Sequence, residues 1–310
     1  MLPNAFIVGA QKSGTTTLCY ALERHPQVVV STPKEPAFFS RAANLSEPER
    51  YKSYFRAKNG LVPRAIIDGT NAYMVDPLAP SRIRAMLGGD LRFVFCLREP
   101  AARAISGYWH QAKKGRERRS LTEALSFNRA TLDAALREEQ ERLTRAAQDG
   151  LIDLAEVEQR FDDPMWNFRY LRNSLYAGDL ERFVATFGAD RTKVILFEEL
   201  VTEPDVSLAS VAAFLGLDPA RFPPNLDLHR NATALMRAPR IASALSKLPG
   251  RMFLRRLPGY AQLRGALFFR APPPADAALA KRLRRLVAPE VTRLRAMVGR
   301  DLTAIWGGID

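Results

Sequence analysis

The run Ala5-Phe-Ile-Val-Gly-Ala-Gln-Lys-Ser-Gly-Thr-Thr-Thr-Leu18 constrains this chain most, because it passes from a short apolar strand through a small polar loop into a helix. Gly9 and Gly14 let the backbone turn so that successive N–H groups converge. A helix opening at Thr15 adds its unpaired amides and the positive end of its dipole to the same point. The product is an anion cradle on an α/β framework. A nucleoside-triphosphate loop reads G-x-x-x-x-G-K-[ST], with its lysine directly after the second glycine. Here Thr15 stands in that place, and the loop's lysine, Lys12, precedes Gly14. The loop therefore has the shape of a phosphate loop without the triphosphate lysine.

A second segment has the same strand-to-helix form. Leu91-Arg-Phe-Val-Phe-Cys-Leu-Arg98-Glu-Pro100 ends an apolar strand in arginine, and Ala101 to Trp109 continue as a helix. Pro100 suits a first helical turn, and Ser106 lies nearly two turns further in. Taken in order, the two segments resemble the nucleotide site of sulfotransferases that use 3′-phosphoadenosine 5′-phosphosulfate. The resemblance implies that Gln11, Lys12, Ser13, Gly14, Thr15, Thr16 and Thr17 form the 5′-phosphosulfate loop, and that Arg98 and Ser106 hold the 3′-phosphate. It extends through Tyr176 to Phe183, Val194 to Leu200, Glu203-Pro204 and Phe214 to Leu217, and the ending Leu302-Thr-Ala-Ile-Trp306 is similar to that of bacterial members.

Short apolar runs alternate with helical patterns, which predicts a central parallel sheet flanked by helices in a P-loop-like three-layer α/β fold. Strands are expected at 5–8, 28–30, 65–68, 91–97 and 193–197, the last ending in acidic residues. Helices are expected at 15–24, 80–87, 101–114, 175–187 and 208–215. Residues 115–163 are charged and helical in composition, and they read as an insertion over the sheet edge. All 310 residues are expected to form one domain with a helical C-terminal region.

The net charge of +13 is localised. Residues 237–300 hold 15 lysines and arginines against Asp276 and Glu290, and the remainder balances. This basic C-terminal region, 237–310, offers a field that attracts a doubly phosphorylated nucleotide or an anionic acceptor. Within it, 249–274 mixes proline, basic and aromatic residues, a pattern that suits a lid, an acceptor segment or a weak membrane-surface contact. No stretch has the ~20 apolar residues of a membrane span, and the sequence enters its first strand at once, so a cytoplasmic location is expected. Cys19 and Cys96 both lie in apolar runs and read as buried free thiols. His25, His110 and His229 show no metal-ligand spacing, so no metal is expected. Nucleic acid is not expected as a partner either.

Sulfuryl transfer asks a protein to align donor and acceptor, stabilise charge on the leaving phosphate and remove a proton. Lys12 suits the charge. For the proton the resemblance offers two carboxylates. Glu35, in Pro33-Lys-Glu-Pro-Ala-Phe-Phe39, resembles the base of the glucosaminyl 3-O-sulfotransferase branch, with Ala37 where that branch commonly has histidine. Asp68, in Asp68-Gly-Thr-Asn-Ala-Tyr73, resembles the carboxylate of the E-K-[ST]-x-x-Y segment of the heparan N-sulfotransferase branch, with Gly69 in the lysine's place. Glu35 is the first choice, because Pro36 restricts it to extended backbone and Phe38 and Phe39 anchor it; Asp68, beside Gly69, reads as less constrained. The implied acceptor is a hydroxyl or amine of a carbohydrate, lipid-linked or secondary-metabolite molecule, the donor's product being adenosine 3′,5′-bisphosphate. The alternatives are a nucleotide kinase or NTPase, for which Ala65 to Asp68 mimics a Walker B strand, and a non-catalytic polyanion binder.

Overall fold

Five strands pair in parallel in the order β2-β3-β1-β4-β5. They are β1 (Ala5–Gly9), β2 (Val28–Val30), β3 (Ala65–Asp68), β4 (Arg92–Leu97) and β5 (Thr192–Leu196). The coordinates are a computed structural model and describe residues 1–57, 62–223, 235–236, 269–270 and 276–307. The strands are nearly continuous apolar runs because helices cover both faces, as a parallel sheet requires. Side chains alternate between those faces. Phe6, Val8, Phe93 and Phe95 pack into one core with α3 (Ala79–Leu87), α8 (Ala177–Phe187) and α11 (Ala277–Val298). Ala5, Ile7, Val94 and Cys96 face the other way, onto α1 (Thr15–Glu23) and α10 (Pro204–Phe214). These are the three expected layers.

Further helices are α2 (Pro48–Ser53), α5 (Leu121–Leu125), α6 (Leu132–Gln148), α7 (Ala155–Glu158), α9 (Phe197–Thr202) and α12 (Leu302–Trp306). A two-residue antiparallel pair, Leu235–Met236 with Phe269–Arg270, completes the regular structure described. The helix α4 (Pro100–Ala112) begins as its sequence dictates: Glu99 caps it, accepting from the amides of Ala101 at 3.0 Å and Ala102 at 2.7 Å, and Pro100 opens the first turn.

Leu125, Leu143, Ala146 and Ile152 of residues 115–163 pack on Ala101, Ala104 and Tyr108 of α4. Two expectations change. The acidic residues expected to end the fifth strand sit in α9, because β5 stops at Leu196 and Phe197 turns into the helix. Much of the basic C-terminal region lies outside the described residues, including 249–268 and 271–274. In its described part several cations are spent on ion pairs: Arg293 with Glu181, Arg300 with Glu199, and Arg284 with Glu99 at 3.7 Å. Among the described residues no helix is long and apolar enough to cross a membrane.

Phe93 centres the larger core, with ring centroids 5.2 Å from Phe6, 5.2 Å from Phe183 and 4.3 Å from Phe187. Phe93→Ala is expected to cost about 3–5 kcal/mol, since the surrounding rings cannot collapse into the space. Urea denaturation checks this, and a loss below about 1 kcal/mol would show that the core tolerates the cavity.

Candidate active site

β1 and β4 are neighbours at the place where the chain's crossovers diverge. From β1 the chain passes through α1 to β2 on one side, and from β4 it passes through α4 to β5 on the other. The crevice beyond the strand ends at such a switch point is where open parallel sheets take their ligands. Two contacts clamp the loop after β1 onto β4: the Ala10 amide donates to Cys96 O at 2.7 Å, and Cys96 Sγ donates to Ser13 O at 2.6 Å.

The loop is shaped for an anion. Lys12 adopts φ 71° and Gly14 φ 87°, left-handed conformations that turn consecutive amides to one side. A Cβ on Gly14 would approach Phe197 to 2.8 Å, so glycine is required there twice over. No side chain caps α1 and no acid occupies its first turn, which leaves the positive helix end to a ligand. The Ser13 hydroxyl is fully buried and has no hydrogen-bond partner among the described residues, and a phosphoryl oxygen would satisfy it. Thr15 is buried, Thr16 exposed and Thr17 half-buried. Gln11 is drawn aside, donating to Asn167 Oδ1 at 2.7 Å. Nothing in the sequence around Asn167 signals that contact across 156 positions.

Arg98 reaches the same loop from β4. Its guanidinium lies 4.7 Å from the Phe197 ring centroid and donates to Lys12 O at 3.3 Å, while Tyr176 Oη donates to Arg98 O at 2.9 Å. Ser106 is buried on α4, and no hydrogen bond joins it to Arg98. These residues fit a phosphorylated nucleotide: amides, hydroxyls, one lysine and one arginine converge with an orphaned hydroxyl among them.

The two carboxylates have opposite environments. Asp68 is 0% exposed and accepts four hydrogen bonds, from the Thr70 amide at 3.0 Å, Thr70 Oγ1 at 2.6 Å, Tyr51 Oη at 2.8 Å and Tyr73 Oη at 3.0 Å. Burial raises its pKa to about 6, although these bonds pull the other way. The sequence reading of Asp68 as the less constrained residue is therefore reversed. Glu35 has its side chain 34% exposed. Lys34 Nζ at 2.8 Å and Asn71 Nδ2 at 2.9 Å both donate to Oε1, and no described residue hydrogen-bonds Oε2. Asp68 supports this arrangement from behind. It holds Thr70, whose hydroxyl accepts from the Ala37 amide at 3.1 Å, just beyond Glu35.

Cations surround these groups. Burial, then Lys113, Arg98, Lys114 and Arg103, lower the Lys12 pKa to about 8; Lys114 falls to about 8 through burial, Arg116 and Lys113. His110 on α4 is kept neutral by burial and by Lys114 and Lys12. Arg160, from the 115–163 segment, donates to Glu35 O at 2.6 Å. His25 is structural: its ring meets Asp218 O and the Gln27 amide, each at 3.1 Å. Among the described residues no group of His, Cys, Asp and Glu is arranged to hold a metal.

An anion bound at Lys12 favours the ammonium, so binding takes up a proton when pH exceeds the free lysine's pKa of about 8. Affinity for adenosine 3′,5′-bisphosphate, the nucleotide implied by the sequence resemblance, should fall as pH rises from 7.5 to 9.5, by up to about tenfold per unit. Lys12→Arg should flatten that slope. Calorimetry across the range checks it, and an unchanged affinity in the parent protein would remove Lys12 from the cradle.

Comparison with known proteins identifies a family. A family model described as "Sulfotransferase domain" matches residues 2–236. The chain is 28% identical over 219 residues to heparan sulfate glucosamine 3-O-sulfotransferase 5 of Mus musculus, covering 70% of this chain and 54% of that protein. It is 29% identical over 310 residues to heparan sulfate glucosamine 3-O-sulfotransferase 6 of Homo sapiens, covering 98% of this chain and 74% of that protein. The chain thus spans about half the length of the first of these relatives. Among solved structures, a sulfotransferase from Alicyclobacillus acidocaldarius superposes with a TM-score of 0.65 at 26% identity, covering 98% of both chains. With a family model matching residues 2–236, most of its length, this chain belongs to the sulfotransferase family.

Proposed function

We propose that this protein transfers a sulfuryl group from 3′-phosphoadenosine 5′-phosphosulfate to a hydroxyl of a negatively charged carbohydrate, with Glu35 as the general base. The observation that carries the reading is the state of Glu35. Its carboxylate is partly exposed, fixed through Oε1 alone, and one lysine ammonium away from the phosphate loop.

Bound in the cradle, the donor supplies a sulfuryl group joined to a phosphate leaving group. Lys12 and the first-turn amides of α1 hold the 5′ end and stabilise the charge that grows there. Arg98, with Ser106 on α4 as its companion, is assigned to the 3′-phosphate. Glu35 accepts the acceptor's proton on Oε2, the oxygen left open to the crevice. Asp68 orders Thr70 and the Ala37 backbone beside Glu35, and its enclosure by Tyr51, Tyr73 and Thr70 suits that positioning role better than contact with an acceptor. Lys113, Lys114 and Arg160 gather near Lys12 and Glu35, which favours an acceptor carrying its own negative charge. A reducing compartment is the setting we propose, since Cys19 and Cys96 are buried free thiols.

Glu35→Gln should lower sulfuryl transfer to heparan sulfate by roughly 10²–10⁴-fold, the scale of a lost general base, with nucleotide affinity nearly intact. Asp68→Asn should lose less turnover and more thermal stability. Transfer measured with labelled donor checks both, and near-normal turnover in Glu35→Gln with a collapse in Asp68→Asn would reverse the two roles.

A further inference from the structure

Lys34 lies on the segment that presents Glu35, yet its ammonium points back toward the phosphate loop. Nζ sits 2.8 Å from Glu35 Oε1 and 3.4 Å from Thr15 Oγ1, the hydroxyl of the first residue of α1. Thr15 occupies the position at which a triphosphate loop carries its own lysine. A cation therefore does reach that point of the loop, delivered from a different part of the chain.

The path of the side chain is kept open by Gly69. A Cβ built there would fall 3.1 Å from Lys34 Cε and 2.9 Å from Cys19 Sγ, so the absence of a side chain at 69 leaves room for the lysine stem. The ammonium is well screened from solvent, with 23% of the side chain exposed. Burial opposes its charge, while Cys19, Glu35 and Asp68 outweigh that and hold its pKa above the ordinary lysine value. It faces the cradle in which the buried Ser13 hydroxyl lacks a partner. One carboxylate oxygen and one weakly placed hydroxyl leave the third ammonium proton without an acceptor among the described residues.

We propose that Lys34 is a second cation of the donor site, binding the 5′ anionic end of the nucleotide together with Lys12. The inference rests on the donor reading above and adds a residue to it. In this arrangement Lys12 and Lys34 both hold the 5′ group. The ammonium shared with Glu35 also sets the carboxylate beside the group to be transferred, so that donor binding and base placement are linked through one side chain.

The test is calorimetry with two probes, adenosine 3′,5′-bisphosphate and adenosine 3′-monophosphate, which lacks the 5′ group. Lys34→Met should weaken the bisphosphate by about 10- to 100-fold, the scale of a charge-assisted contact, and leave the monophosphate unchanged. Lys34→Arg should recover most of the bisphosphate affinity. Glu35→Gln, which frees the ammonium from its carboxylate, should bind the bisphosphate at least as tightly as the parent. Equal losses for both probes in Lys34→Met, or no loss for either, would overturn the inference, as would failure of Lys34→Arg to restore binding in a variant with the parent's melting temperature. Failure of the parent protein to bind the bisphosphate at all would instead reject the donor reading on which the inference stands.

Discussion

The adjacency of β1 and β4 is the constraint on which the site depends. Their pairing continues past the strands themselves, through the Ala10 amide on Cys96 O and Cys96 Sγ on Ser13 O, and so fixes the phosphate loop to the strand that delivers Arg98. Cys96 is fully buried, and its thiol is pushed well above its ordinary pKa by burial, so it acts here as a small donor inside the core. Because the loop is tied on that side, Lys12 and Gly14 can hold left-handed backbone that an untethered loop would relax. Everything the site does with charge begins from that tether.

A second, polar layer surrounds Glu35, the base proposed above. Asp68, Tyr51, Tyr73 and Thr70 form a closed polar network in an aromatic core, where Tyr51 stacks on Phe38 at 4.4 Å. The network costs a buried carboxylate, which is why Asp68 titrates high, and it yields order in the neighbouring segment. Thr70 accepts from the Ala37 amide, Tyr73 accepts from the Phe39 amide and Asn71 donates to Glu35 itself. Arg160 closes the other side on Glu35 O. Glu35 is thus fixed in backbone and in one oxygen while the other oxygen stays open, a division of labour suited to a base.

Much of this was legible in the sequence because it is local. The strand-loop-helix pattern at Ala5 to Leu18 and the strand that ends before Arg98-Glu99-Pro100 each carry their own signal in residue type and spacing, and each forms the elements that signal predicts. What the sequence hid depends on contacts between distant segments. Asp68 reads as a loosely held residue beside glycine, since nothing local announces that two tyrosines, one 17 positions earlier, donate to it. Gly69 reads as a missing lysine until the Lys34 stem is seen to use its space. The 115–163 segment reads as a surface insertion by charge, whereas its sparse apolar side chains complete the core beneath α4.

On the reading proposed above, the crevice at β1 and β4 is built for a 3′,5′-bisphosphorylated nucleotide held by the protein's own cations. Titration calorimetry comparing adenosine 3′,5′-bisphosphate with ATP, each in the presence of a divalent-ion chelator and again with magnesium, decides this. The bisphosphate should bind tightly and with indifference to the chelator, and ATP should bind weakly under both conditions. Tight, magnesium-dependent binding of ATP with little affinity for the bisphosphate would contradict it and return the loop to the nucleoside-triphosphate class that Thr15 argues against.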